Sequence, residues 1–204
     1  PAFAPIDASM LNDEQRAAAA IVSGGSNVFL TGAAGVGKSF LLRHLIQQLE
    51  LRHPATGAVA VCAPTGIAAS HVQGVTIHSW AGIGLGKGST QTLVQKVLSN
   101  GAARDRWEKA RTLVLDEVSM LDSNLMDALD AIGKAVRGQP SLPFGGIQLL
   151  LCGDFFQVRH TTARTLLPPP QRPHNRTHML PPPQRPHIRT HMLPPPQRPH
   201  GRTH

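Results

Sequence analysis

The sequence predicts an α/β domain built on a parallel sheet flanked by helices, followed by a low-complexity tail. Three observations predict it. Between residues 11 and 157, short β-rich apolar runs alternate with longer amphipathic stretches, the rhythm of βαβ units. The runs are nearly continuous in apolar residues, as strands covered on both faces should be. Near residue 166 the pattern stops and a 13-residue unit begins to repeat. The expected organisation is a flank over 1–10, a domain over 11–157, a linker over 158–165 and a repetitive tail over 166–204.

Bulk properties bound this reading. A chain of 204 residues suffices for one well-buried domain of ordinary size. The formal charge of +8 points to an acidic partner, but six arginines and no acid lie in residues 166–204. The first 165 residues carry 14 Lys and Arg against 12 Asp and Glu, so the folded part makes no electrostatic case for nucleic acid. The two cysteines, Cys62 and Cys152, each close an apolar run and read as small buried hydrophobes, not a disulfide. No apolar stretch approaches the roughly 20 residues needed to cross a bilayer, so no membrane partner is expected.

Along the chain, Asn12 followed three residues later by Gln15 reads as a helix capping box. Strands are expected at Asn27 to Thr31, Ala58 to Ala63, Arg111 to Asp116 and Ile147 to Cys152. One helix should run from Lys38 to about Glu50. Another, from about Ser123 to Val136, places Leu125, Leu129, Ile132 and Val136 on one face and stops near Gly138. Right-handed crossovers between parallel strands put all four carboxyl ends on one edge, where ligand chemistry should sit.

Two motifs carry that chemistry. The run GAAGVGKS comprises Gly32, Ala33, Ala34, Gly35, Val36, Gly37, Lys38 and Ser39, and it stands between a predicted strand and a predicted helix. Gly32, Gly35 and Gly37 let the backbone turn its amides towards phosphate oxygens, and the helix adds its positive amino end. Lys38 would reach the β and γ phosphates of ATP, and the Ser39 hydroxyl would hold Mg²⁺. The plainer reading is a glycine turn without a ligand. In RTLVLDEVSM, a strand delivers Asp116 and Glu117 to the same edge. Asp116 can serve the Mg²⁺ shell and Glu117 can orient or deprotonate a water, unless the pair is only a solvated strand end. An Asp-Glu pair on a later strand favours water as the phosphoryl acceptor, hence an NTPase over a nucleotide kinase.

Taken with APTGIAA, TIHSWAGIGLG and FGGIQLLLCGDFFQ, these motifs and their spacing resemble the first RecA-like domain of Pif-type DNA helicases, relatives of the RecD-like enzymes. The resemblance covers residues 11–157. It implies an ATP- and Mg²⁺-dependent motor moving 5′ to 3′ on single-stranded DNA, acting at DNA junctions in telomere maintenance, repair and recombination, in the nucleus or mitochondrion of a eukaryote. By resemblance, Gln15 reads the adenine, in competition with its capping role, since one glutamine does not easily do both. Gln157 resembles the family's γ-phosphate sensor, its alternative being a polar loop residue. Thr65 and Gly66 would touch the DNA backbone, a contact that a hydroxyl and bare amides can make without a basic patch. His78 and Trp80 are open between DNA contact and local packing, with core packing the stronger reading for the indole.

The resemblance ends at Gln157, where this chain reads VRHTTARTL and enters its repeats. A second motor domain and its arginines are expected to be missing. Such an arginine is worth roughly 10³ to 10⁵ in rate, about 4 to 7 kcal/mol, so the polypeptide is expected to bind ATP weakly, hydrolyse it slowly and unwind nothing alone. The three units LLPPPQRPHNRTH, MLPPPQRPHIRTH and MLPPPQRPHGRTH hold twelve of the eighteen prolines, which favours a disordered, polyproline-like tail. Their arginines could hold nucleic acid loosely, PPPQRP could dock on a proline-motif partner, and pairs such as His174 and His178 are weak metal candidates. Three functions remain open: a helicase lobe, a nucleotide and single-strand binding module without turnover, and an interaction protein acting through its tail.

Overall fold

The computed structural model describes residues 5–33 and 35–154, together with the backbone of 188–192. The first helix, α1 (Asp13–Ser23), starts on the expected capping box. It leads to β1 (Val28–Gly32), the glycine loop, α2 (Lys38–Arg52) and β2 (Val59–Ala63). There follow α3 (Gly66–His71), β3 (Val75–Thr76), α4 (Ile77–Ala81), α5 (Thr90–Leu98), α6 (Gly101–Lys109) and β4 (Thr112–Leu115). The domain closes with α7 (Ser123–Arg137) and β5 (Gln148–Cys152), and a last strand, β6 (Ile188–Met192), comes from the repeats.

The sheet order is β3-β2-β4-β5-β1-β6, parallel through the first five strands. The four strands expected from sequence occur within one residue of their expected ends. The expected disorder of the tail does not hold over Ile188–Met192, which pair antiparallel with β1 from Met192 opposite Val28 to Ile188 opposite Gly32. Those five residues lie between proline triplets and keep all their backbone donors, so they can cover the edge that β1 would otherwise leave open. The linker over 158–165 and the other repeat residues, including His174 and His178, lie outside the described residues.

Alternation along the strands builds two cores, one on each face. Val28 and Leu30 of β1, Val114 of β4, and Leu150 and Cys152 of β5 pack with Leu41, Leu42, Leu45 and Leu49 of α2. The opposite parity, Leu113, Leu115 and Leu149, packs with Leu93, Val97, Trp107, Leu129 and Ile132 from the helices on the other face. Leu125 and Val136, expected on the buried face of α7, are its half-buried rim, while Ala128 and Gly133 lie deeper.

Helices α3 to α6 were not legible from periodicity, because they are short and their burial is set by tertiary contacts. Arg137 ties this region together. Its guanidinium donates to the carbonyls of Trp107 at 2.9 Å, Glu108 at 3.1 Å, Ala110 at 3.0 Å and Gly145 at 2.7 Å. Partial burial, then the neighbouring Arg111, hold its pKa below the ordinary arginine value. Gly133 lets α7 press on the turn Pro143–Gly146 that feeds β5, for a Cβ there would meet the Phe144 carbonyl oxygen at 2.7 Å. Cys62 and Cys152 are free thiols buried in the sheet. No helix among the described residues is long and apolar enough to cross a membrane.

Two expectations follow from this packing. Gly133→Ala gains up to about 1 kcal/mol of helix propensity but forces backbone apart, at about 1–3 kcal/mol, so urea denaturation should show a net loss. Burial, opposed weakly by Arg106, pushes the Cys62 thiol up from 9.0 to about 12. A raised thiol pKa stabilises the fold fully below pH 9 and progressively less as pH climbs towards 12. Stability measured between pH 8 and 10 should therefore fall less steeply in Cys62→Ala than in the parent chain.

Candidate nucleotide site

The carboxyl ends of β1, β4 and β5 meet at one edge and enclose a cavity of about 370 Å3. Gly35, Gly37, Lys38, Ser39, Asp116 and Glu117 line it, together with the Cys152–Asp154 segment. The glycine loop leaves β1 and enters α2 through left-handed backbone, with φ of 80° at Gly35 and 88° at Gly37, a region that glycine adopts freely. Gly37 caps α2 without a side-chain hydrogen bond, so the first amides of that helix face the cavity unserved by any cap. The Lys38 ammonium donates to the Gly32 carbonyl at 2.6 Å and to the Ala33 carbonyl at 2.9 Å, folding the loop over its own lysine. Ala34 lies outside the described residues.

Across the cavity, Asp116 follows β4 and Glu117 adopts φ 51° and ψ 38°, an uncommon conformation for a non-glycine residue. The turn aims the Glu117 amide back at Asp116, whose Oδ1 accepts it at 2.9 Å. Glu117 itself is exposed at the rim. Ser39 and Asp116 thus offer two hard oxygens to one cavity. That is the share a protein commonly gives to Mg²⁺ when phosphates and water complete its shell, so the donor set fits the ion. Among the described residues no group of three His, Cys, Asp or Glu could hold a metal.

Gln15 fills its capping role, and the other end of its side chain reaches the glycine loop. Its Oε1 accepts from the Asn12 amide at 3.0 Å, while its Nε2 lies 2.9 Å from where a Cβ on Gly37 would stand. The two ends of one amide face the cap and the glycine loop separately. Asp154 is a residue that sequence reasoning missed. It is 7 % exposed and lines the cavity, and its signal was an acid two residues beyond a strand ending at the active edge. Cys152 was read only as a core thiol, yet it also lines the cavity. Burial, followed by the charge of Asp116 and a hydrogen bond to it, pushes its thiol well above the ordinary range. Gln157 lies outside the described residues.

The other expected residues sit apart from the cavity lining. Thr65 and Gly66 are exposed beyond the end of β2, where the Thr65 hydroxyl accepts from the Ala68 amide at 3.2 Å as the cap of α3. His78 is half-buried on α4 against Gly86. Trp80 follows the core-packing reading, the stronger of its two, and not base stacking. It is 7 % exposed, and its ring centroid lies 4.6 Å from that of Trp107, so its face is used inside the core. The shape of the pocket beneath α4, not the indole's chemistry, decides this.

With this geometry in view, comparison with known proteins is specific. Residues 10–166 match the family model described as PIF1-like helicase. The ATP-dependent DNA helicase PIF1 of Emericella nidulans is 46% identical over 158 residues, 77% of this chain and 20% of that protein. The crystal structure of Pif1 helicase from Candida albicans superposes with a TM-score of 0.69 at 45% identity, over 72% of this chain and 33% of that one. Pif1 from Bacteroides in complex with ADP-AlF3 and single-stranded DNA gives 0.54 at 30% identity, over 72% and 33%. The chain spans about a fifth of the length of the curated relative it matches. A match over most of its residues, carried by a phosphate loop and an acidic pair at one sheet edge, places this chain in the PIF1-like helicase family.

Proposed function

We propose that this chain forms the nucleotide-binding lobe of an ATP-driven DNA helicase. The observation that carries the reading is the convergence of Gly35, Gly37, Lys38, Ser39, Asp116 and Glu117 on one cavity. In this reading the loop amides and Lys38 grip the phosphates, with Lys38 leaving the Gly32 and Ala33 carbonyls to do so. Ser39 and Asp116 hold Mg²⁺, which would draw charge from the β and γ phosphates, and Glu117 orients the attacking water. The Gln15 amide, which its cap holds against Gly37, would meet the adenine rim, and Gln157 would sense the γ-phosphate.

The DNA part of the proposal is supported by the helicase names of the relatives and by the Bacteroides structure that holds single-stranded DNA. Exposed Thr65 and Gly66 offer a hydroxyl and a bare amide to a phosphodiester, and half-buried His78 offers a ring nitrogen nearby in sequence. Trp80 is left out of this contact. The alternative, a nucleotide and single-strand binding module without turnover, differs only in hydrolysis, since it uses the same cavity.

Calorimetric titration of the full chain with Mg-ADP tests the site. Binding is expected, and Lys38→Ala should weaken it more than tenfold, since a charged hydrogen-bonding partner is removed from the phosphates. No heat with the parent chain, or unchanged affinity in the variant, would sink the reading. Gln15→Glu keeps an oxygen for the cap but removes the amide donor. It should weaken ATP about fivefold more than inorganic triphosphate, which feels the added charge but has no base to lose, as competition titrations would show.

A further inference from the structure

Cys152 stands where phosphate chemistry asks for no thiol. It ends β5, is 2 % exposed, and lines the same cavity as Lys38, Ser39 and Asp116. The register explains its place. β5 lies between β4 and β1, with Leu151 opposite Leu115 and Cys152 opposite Leu30. Asp116 comes one residue after Leu115, so it and Cys152 are cross-strand neighbours on the face that also carries Val114 and Leu150. This pairing puts the Cys152 thiol beside the Asp116 carboxylate, and the charge of Asp116 and a side-chain hydrogen bond to it are, after burial, causes that push the thiol's pKa up. That carboxylate accepts a second bond at Oδ1 from the Glu117 amide, at 2.9 Å.

We infer that Cys152 is a positioning residue, its S–H acting with the Glu117 amide to hold the Asp116 carboxylate in the orientation that serves Mg²⁺. The inference rests on the magnesium-nucleotide reading of the cavity given above. Two fixed donors leave the carboxylate little freedom to turn. Without the thiol it could swing towards the Lys38 ammonium in the same cavity, which would misplace the metal ligand and occupy the phosphate ligand together. Sulfur suits the position. Cys152 belongs to the apolar cluster that includes Leu30, Leu41, Val114 and Leu150, where a small hydrophobe packs well. A thiol fills that space with one weak donor, whereas a hydroxyl brings lone pairs that need partners of their own.

The test titrates the full chain with ADP, once with Mg²⁺ and once with EDTA, in the parent, Cys152→Ala, Cys152→Ser, Asp116→Asn and the Cys152→Ala/Asp116→Asn double variant. Cys152→Ala should lose about tenfold of the affinity gained on adding Mg²⁺ and keep its metal-free affinity, while Cys152→Ser regains most of the loss. In the Asp116→Asn background, Cys152→Ala should have no further effect on that gain, because the partner it acts through is gone. The infrared S–H stretch of Cys152, recognised by its loss in Cys152→Ala, should move to higher frequency in Asp116→Asn as its bond weakens. The positioning role is overturned if Cys152→Ala keeps the full magnesium gain, if metal-free and magnesium affinities fall equally, or if the stretch does not move. A parent chain that binds no Mg-ADP overturns the nucleotide reading instead, and the infrared arm still decides whether thiol and carboxylate are bonded.

Discussion

The backbone register of β4, β5 and β1 is the constraint on which the rest of the site depends. Leu115 opposite Leu151, and Leu30 opposite Cys152, bring three strand ends level at one edge. From those ends the chain delivers Asp116, the Cys152–Asp154 segment and the glycine loop into one cavity. A one-residue slip in any of these pairings would turn Val114 or Leu150 into the opposite core and their neighbours out of it, spoiling the packing on both faces. The apolar cores on both faces therefore enforce the register. The geometry of the cavity is in this sense a by-product of hydrophobic alternation.

Local strain and self-satisfaction finish what the register begins. Glu117 sits in left-handed backbone, which turns its amide onto Asp116, and the residue is exposed at the rim. Lys38 rests on carbonyls of its own loop. Those bonds satisfy an ammonium that would otherwise lie unpaired in the cavity, and a phosphate offers it stronger, charged partners. Gln15 shows the same economy, with one end of its amide on the helix cap and the other facing Gly37.

Helices α4, α5 and α6 and the Arg137 staple support β4 and β5 from the far face without reaching the cavity. Their contribution is rigidity. Trp107 is fully buried, donates through Nε1 to the Ala81 carbonyl at 3.2 Å and packs on Trp80. Gly133 and the Pro143–Gly146 turn approach closely enough to exclude a methyl group. This close packing holds the start of β5, and so the height at which Cys152 and Asp154 emerge.

What the sequence by itself determined is what short-range rules govern. Continuous apolar runs marked the four central strands within a residue, the capping box marked the start of α1, and glycine spacing with Lys38 and Ser39 marked the phosphate loop. The resemblance of its motifs to Pif-type helicases, likewise visible in the sequence alone, matched the family to which the chain belongs. Tertiary structure decided the rest, because it depends on which surfaces meet. Trp80 became core because Trp107 covers its face, and Gln15 could serve two neighbours because its two amide atoms point apart. Cys152 became a neighbour of Asp116 because parallel pairing joined residues thirty-six apart in sequence, a distance over which no local pattern carries information.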